Sequence, residues 1–546
     1  MKSYILSFLF FTLWGTLNSQ ILSPEQQKSL DDLILEFVDE GDPGLAMGIV
    51  QNGQITYTKY AGVSDLKNET AIDAQSRFNI ASLAKQFTAL CILKLESEQK
   101  LKLSDDIRKY LPNFFFEIKS PITIAQLLNH SSGIRNVYDL WRLQGITWWK
   151  QTLTNEDAIQ ILSQQQELNF FPGTRYLYSN SNYILLAEIV KVVSGMSFQA
   201  YADQMFAELR MKATHFESNH DQIENMALPY FNFGKWTTFD WLSDLHGDGA
   251  LFTTLEDQLR WEQIVQNMDT SVLGREILKK SQSLIAGSQI TEYGYGLEFG
   301  SYRGLAYRFH EGETGAWHAT TLRFDSEQLS IFVMSNSGRV GTDYLARLCA
   351  DLLIDANKLA SESNLLEPEN KGAVLPISDL AGTYKTDWGY YLKIVNQAGE
   401  WSMQRSERDD IQLEMEGDNL FHEVGDSTFK QWFSLDKENN YQIRLYHPSH
   451  SPYSLQKIES DFTAFDYTSF NGKYLNPETG AELIVEHDKD DQYKIVLGGD
   501  KMNARMFEPD VLVMNGYRLL VQRSKTGKVK NLLLYSRRLQ EVRFTP

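Results

Sequence analysis

Cysteine is nearly absent: Cys91 and Cys349 are the two in a chain of 546 residues, and each lies in an apolar run of helical character. Two cysteines so placed exclude a disulfide framework and argue against a zinc site built on thiolates. Basic excess is lacking as well. The formal net charge is −19, which argues against nucleic acid as a partner, because phosphate binding needs a basic surface. The acidity itself speaks mainly to solubility. Beyond the N-terminus no apolar run is long enough to span a bilayer. Several chemical signatures are missing too. There is no Gly-x-Ser-x-Gly elbow. Neither His310-Glu311 nor His422-Glu423 is followed by the second histidine of a zinc helix, and no glycine-rich phosphate loop ends in Lys-Ser or Lys-Thr. No cofactor is implied.

What is present fits a globular protein, with 42% hydrophobic and 23% charged residues. The length exceeds the roughly 250–300 residues at which single cores stop growing, so two or three domains are expected. Met1-Lys2, an apolar stretch over 4–17 and Asn18-Ser19-Gln20 read as a secretory signal over 1–19, with the mature chain starting near Gln20. An uncleaved anchor is the alternative. This places the protein in the periplasm or outside the cell.

Ser23-Pro24-Glu25 reads as a helix N-cap with proline in the first turn. Apolar runs at 46–50 and 55–60 flank Asn52-Gly53, a strong hairpin signal. Helices are predicted over 81–96, 122–128, 183–193 and 344–359, and a second hairpin joins 320–324 to 329–334. Strands at both ends of this segment, with helices between, predict one α+β domain over 20–358 whose antiparallel sheet is completed by its two ends. Pro, Asn, Glu and Gly accumulate before residue 376, so 359–376 reads as a linker. Only short alternating strands follow. Leu380-Ala381-Gly382-Thr383-Tyr384 recurs as Phe470-Asn471-Gly472-Lys473-Tyr474, and Leu455-Gln456-Lys457-Ile458 as Leu539-Gln540-Glu541-Val542. Two small all-β domains are therefore expected, over 377–459 and 460–546; one larger β domain is the alternative.

The chemistry centres on Ser82-Leu83-Ala84-Lys85. A serine hydroxyl is a weak nucleophile and needs a neighbouring base. Residues three apart on a helix face the same way, so Lys85 is held beside Ser82 by local geometry alone. A helix start could also lend the Ser82 N–H to an oxyanion. Taken alone, the pair fits a surface helix with an unrelated lysine better, since Ser-x-x-Lys recurs by chance in many helices. Two further groups stand in order behind it: Tyr178-Ser179-Asn180, between the Pro172-Gly173 turn and the next helix, and His310-Glu311-Gly312, before a hairpin. Singly, Tyr178 fits a core tyrosine, Asn180 a turn residue and His310 a strand residue.

Ser-x-x-Lys, Tyr-x-Asn and a basic-x-Gly triplet in this order resemble the class C β-lactamases, penicillin-binding proteins and related serine hydrolases. Phe78-Asn79-Ile80-Ala81, the stretch 122–133, Phe171-Pro172-Gly173, the stretch 247–261 and Tyr293-Gly294-Tyr295-Gly296-Leu297 extend the resemblance over about residues 25–358. It implies a β-lactamase/transpeptidase-like domain followed by two lipocalin-like barrels. It also implies that Ser82 forms an acyl-enzyme with Lys85 and Tyr178 as the proton relay, that Asn180, His310 and Gly312 bind substrate, and that the N–H groups of Ser82 and Glu313 hold the oxyanion. Where β-lactamases usually carry lysine, this chain has His310. A neutral imidazole suits a substrate carboxylate less than a permanent cation does, and the His-x-Gly form resembles D-alanyl-D-alanine peptidases, D-aminopeptidases and esterase-like members. A peptide containing D-residues is the expected substrate, a carboxylic ester the alternative. A catalytically idle ligand-binding protein is the reading from another class. Glu311 and Glu313 could favour a substrate amine. By the same resemblance, a β-domain loop around Leu497-Gly498-Gly499-Asp500 would close the site. The Trp-rich stretch 137–154 could line a hydrophobic acceptor site or pack as a lid.

Overall fold

The computed structural model describes residues 22–147, 150–217, 223–240, 243–361, 374–405, 410–447, 450–463 and 465–546. The expected signal segment, most of the expected linker, and Trp148 and Trp149 lie outside the described residues. The chain opens with helix α1 (Pro24–Leu35), whose N-terminus is closed by a capping box between Ser23 and Gln26. Strands β1 (Leu45–Gln51) and β2 (Gln54–Ala61) follow. Their turn places Asn52 and Gly53 at φ +52° and +74°, the left-handed pair that Asn-Gly tolerates best.

The remaining strands of this sheet come from far along the chain: β3 (Glu298–Tyr302), β4 (Leu305–Thr314), β5 (Trp317–Phe324) and β6 (Leu329–Ser335). All pairs are antiparallel in the order β3-β4-β5-β6-β1-β2, with Leu45 opposite Ser335. The two ends of the segment thus complete one sheet, as expected from the sequence. Strand β1 is buried along nearly its whole length because both faces are covered. On one side α1 and the helix Thr342–Leu353 bring Leu30, Ile34, Leu345 and Cys349 against Met47, Ile331 and Val333. On the other, the helix Leu255–Asn267 lies so close that a Cβ on Gly48 would stand 2.5 Å from Leu259.

Two eight-stranded β units follow. The first runs between Gly382 and Ile458 and closes where its first strand pairs with its last. The second runs between Gly472 and Phe544, and its ends meet at Leu475 and Thr545. The sequence repeat has a structural counterpart. Gly382 and Gly472 sit at φ +145° and +153°, and two residues on, Tyr384 and Tyr474 each donate to the carbonyl four positions back, at 2.8 Å. Apolar residues Tyr391, Phe507, Val511 and Val513 join the two barrels. The second barrel also docks on the α+β segment through an ion pair between Arg135 and Glu478, with side chains 1% and 8% exposed. The other Glu478 oxygen accepts the N–H groups of Gln166 and Glu167, at 2.9 and 3.0 Å. No single helix among the described residues is long and apolar enough to cross a membrane; one sharply bent pair, Asn180–Ser194 with Phe198–Leu209, meets the length and composition criteria together.

Candidate active site

The nucleophile candidate stands at a break between two kinds of helix. Ala81 adopts φ +48° and donates its N–H to Asn79 Oδ1 at 2.9 Å, and a 3₁₀ turn over Ala81–Ala84 runs into helix α2 (Lys85–Ser97). The expected helix over 81–96 therefore starts as a tighter turn. In that turn positions three apart eclipse one another, which sets Lys85 Nζ 2.9 Å from Ser82 Oγ. Ser82 is half-buried and Lys85 wholly buried. Lys85 Nζ also donates to the backbone oxygen of Asp248 at 2.6 Å. Burial pushes the ammonium down to about 7, against the opposing pull of the Asp248 carboxylate. A large share of Lys85 is thus a neutral amine near neutral pH, able to accept a proton. Behind it, Gln86 receives the Trp261 indole N–H at 2.7 Å and Arg323 at 3.0 Å. Arg323 is also paired with the buried Glu262 at 2.7 Å. This network pins α2 to the sheet directly behind the reactive pair.

Tyr178 precedes the helix Asn180–Ser194. It lines the same cleft as Ser82, and its ring centroid lies 5.1 Å from Lys85 Nζ. Burial raises the phenol above its ordinary value, with the guanidinium of Arg538 opposing. Tyr178 is therefore a neutral O–H donor in this state, and Lys85 is the group ready to act as base. His130 packs against the Tyr178 ring at 4.3 Å. Asn180 begins the helix with its N–H on Asn136 Oδ1 at 2.8 Å. Its own Oδ1 is buried without a protein partner and the residue lines the cleft, so it can accept a hydrogen bond from substrate.

The third group lies on β4. His310 Nδ1 is 2.7 Å from the backbone oxygen of Glu311. A carbonyl only accepts, so Nδ1 carries the proton and Nε2 accepts from the Tyr293 hydroxyl at 2.8 Å. Burial and the Lys85 charge push the imidazole down to about 3, so His310 is uncharged. Gly312 meets a close approach: a Cβ there would lie 2.5 Å from Ile80 O and 3.0 Å from Ser82 N. Glycine lets β4 lie against the nucleophile turn, which brings the Ser82 amide and the strand at Glu313 to the same wall. Glu311 pairs with Arg347 at 2.9 Å, while Glu313 lines the cleft opposite His318.

The cleft has a volume of about 1470 Å³, larger than the roughly 300–1,000 Å³ of most small-molecule sites. Sequence reasoning assigned no role to several of its residues. Glu298, on the edge strand, has its carboxyl raised to about 7 by burial and by neighbouring Glu311. Asp248 binds Lys85 through its backbone and the Tyr138 hydroxyl through its carboxylate, at 3.0 Å. Arg537 and Arg538 come from a turn of the second barrel, and the Arg538 guanidinium lies 5.1 Å from the Tyr178 ring centroid. The stretches 247–261 and 293–297 flagged the neighbourhood of Asp248 and Glu298; two arginines in a turn carry no local signal. The loop expected to close the site is corrected. Gly498 stands against Gly145, where a Cβ on Gly145 would be 2.3 Å from the Gly498 oxygen, so 497–500 braces the end of the helix Val137–Leu143 instead of lining the cleft. The rim is formed by 387–390 of the first barrel and 535–541 of the second. Within the Trp-rich stretch, Tyr138 lines the cleft and Trp141 is buried in the core.

With this geometry described, comparison with known proteins finds that a model of the beta-lactamase family matches residues 30–354. A D-aminopeptidase of Brucella canis is 27% identical over 407 residues, covering 69% of this chain and 75% of that protein. Among solved structures, the octameric penicillin-binding protein homologue of Pyrococcus abyssi superposes with a TM-score of 0.56 at 21% identity, over 79% of this chain and 99% of that one. A penicillin-binding protein of Bacillus halodurans gives 0.52 at 22% identity, over 60% and 99%.

Proposed function

The chain belongs to the beta-lactamase family and is a serine hydrolase, and on that premise we propose that it cleaves an amide in a peptide containing a D-residue, through an acyl-enzyme on Ser82. The observation that carries this reading is the buried Lys85 amine 2.9 Å from Ser82 Oγ. In the proposed cycle Lys85 takes the Ser82 proton as Oγ attacks the substrate carbonyl. The N–H groups of Ser82 and Glu313 hold the oxyanion. Tyr178, kept neutral by burial, gives a proton to the departing amine and is reprotonated from Lys85. Water then releases the acyl group by the reverse sequence. Asn180 Oδ1 orients the acyl side.

The uncharged His310 supports substrates other than β-lactams, whose carboxylate favours a cation at this position. The similarity to a D-aminopeptidase supports the D-residue. Glu298 and Glu313 line the cleft free of the pairing that occupies Glu311, which supports a substrate amine on that side. Action outside the cytoplasm is part of the proposal and rests on the N-terminal sequence pattern alone. Rates on D- and L-aminoacyl amides, p-nitrophenyl esters and a chromogenic cephalosporin test the reading. Faster turnover of D-amides is the expected result. Turnover confined to esters would shift the assignment to a carboxylesterase, and efficient cephalosporin hydrolysis would overturn it.

A further inference from the structure

The catalytic cleft is lined by four arginines: Arg175 beside the Tyr178 motif, and Arg518, Arg537 and Arg538 from the second barrel. The chain bears a net charge of −19, so carboxylates are plentiful, yet none of the four makes an ion pair among the described residues. Arg175 reaches the Asn169 backbone oxygen at 3.2 Å and Arg518 lies over the Tyr535 ring. Arg537 faces Glu298 and Glu311 across the cleft and opposes the rise of both carboxyls. Arg538 lies over the face of Tyr178 and opposes the rise of the buried Asp139 carboxyl, which accepts from Asn136 Nδ2. The nearby carboxylate of Asp248 is held by Tyr138.

Arg538 is also delivered by a built element. Its N–H and that of Leu539 donate to Ser536 Oγ at 3.2 and 3.0 Å, and Leu539 is fully buried. Asn169 of the catalytic segment clamps the turn from outside: its Nδ2 donates to Arg538 O at 3.1 Å and its Oδ1 accepts from Gln540 N at 2.8 Å. The clamp fixes the backbone from which the Arg538 side chain reaches Tyr178, and its guanidinium presents a planar donor fork, which matches a carboxylate.

We propose that Arg538 is a specificity residue that receives a carboxylate on the leaving side of the substrate, so that the preferred leaving group is an amino acid with a free carboxylate and not its amide. This rests on the acyl-enzyme reading above, because the side is fixed by Tyr178, the group that hands its proton to the departing amine and over whose ring Arg538 lies. The cleft is then bipolar, with acidic Glu298 and Glu313 on the sheet side and the arginines on the barrel side.

Calorimetry in a Ser82→Ala background tests the proposal without turnover, using D-alanyl-D-alanine, whose amine is free, and its C-terminal amide. The acid should bind roughly tenfold or more tighter than the amide, as a charge-assisted contact implies. Adding Arg538→Ala should erase that preference while amide affinity stays within about threefold, and Arg538→Lys should keep part of it, since charge survives without the fork. Equal affinities, a preference that survives Arg538→Ala, or no binding of either peptide would overturn the proposal. Rates with the intact Ser82 enzyme separate the two readings. If neither peptide is cleaved although an Arg538-dependent acid preference is present, the carboxylate site stands and the hydrolytic assignment falls.

Discussion

At the residue scale the reactive pair is a matter of one hydrogen-bonding distance and one displaced proton. Lys85 must be neutral to accept the Ser82 proton, and its ammonium is held at about 7. Activity should therefore be lost as the pH falls through 7, by about tenfold per unit below it, with kcat/KM as the readout. The sign follows directly: acid protonates Lys85 and removes the base. A flat profile between pH 5 and 8 would remove Lys85 from that role. Ser82, Lys85, Tyr178, Asn180, His310, Gly312 and Glu313 were legible because each belongs to an ordered motif. Their division of labour was not. That Lys85 is the deprotonated partner and Tyr178 the protonated one depends on burial, which Arg538 reinforces at Lys85 and opposes at Tyr178, and neither has a sequence signal. The neutral state of His310 likewise depends on burial and on Lys85, with the Glu311 carbonyl opposing.

At the scale of elements, the site exists because β4 lies against the 3₁₀ turn that carries Ser82. Gly312 sets that distance. Gly312→Ala would force its Cβ to within 2.5 Å of Ile80 O and 3.0 Å of Ser82 N, and both obstacles are backbone. Either the strand or the turn must move. We expect a destabilisation of about 1–3 kcal/mol and a fall in kcat/KM of roughly a hundredfold, since sub-ångström misplacement is costly at a reacting centre. Urea unfolding and steady-state kinetics on one preparation check both figures; unchanged kinetics would mean that the strand does not position the nucleophile. The β1–β2 and β5–β6 hairpins and the helix after Tyr178 were readable from periodicity and turn residues. The edge strand β3 was not, since Glu-Phe-Gly-Ser-Tyr lacks a clear alternation, and with it Glu298 was overlooked.

At the scale of the whole molecule, the second barrel is a wall of the active site. The order of a catalytic segment followed by repeated β units could be read from the lapse in pattern before residue 376 and the recurrence of Gly-Thr-Tyr as Gly-Lys-Tyr. Which loop reaches the cleft could not, because docking is fixed by long-range contacts: Arg135 with Glu478, and Asn169 with the 536–540 turn. Glu478→Ala takes from the buried Arg135 guanidinium its nearer carboxylate, leaving Glu167 at 3.5 Å, and strips an acceptor from two backbone N–H groups. A loss of about 3–5 kcal/mol is expected on breaking such a pair, measurable as a lowered urea midpoint. A loss below about 1 kcal/mol would show that the interface does not depend on it.

The most direct test of the whole assignment is intact-protein and peptide mass spectrometry after treatment with a fluorophosphonate probe. One adduct per chain, mapped to Ser82, absent in Ser82→Ala and strongly slowed in Lys85→Ala, is the expected result. An adduct on another residue, or none on a folded protein, would contradict it.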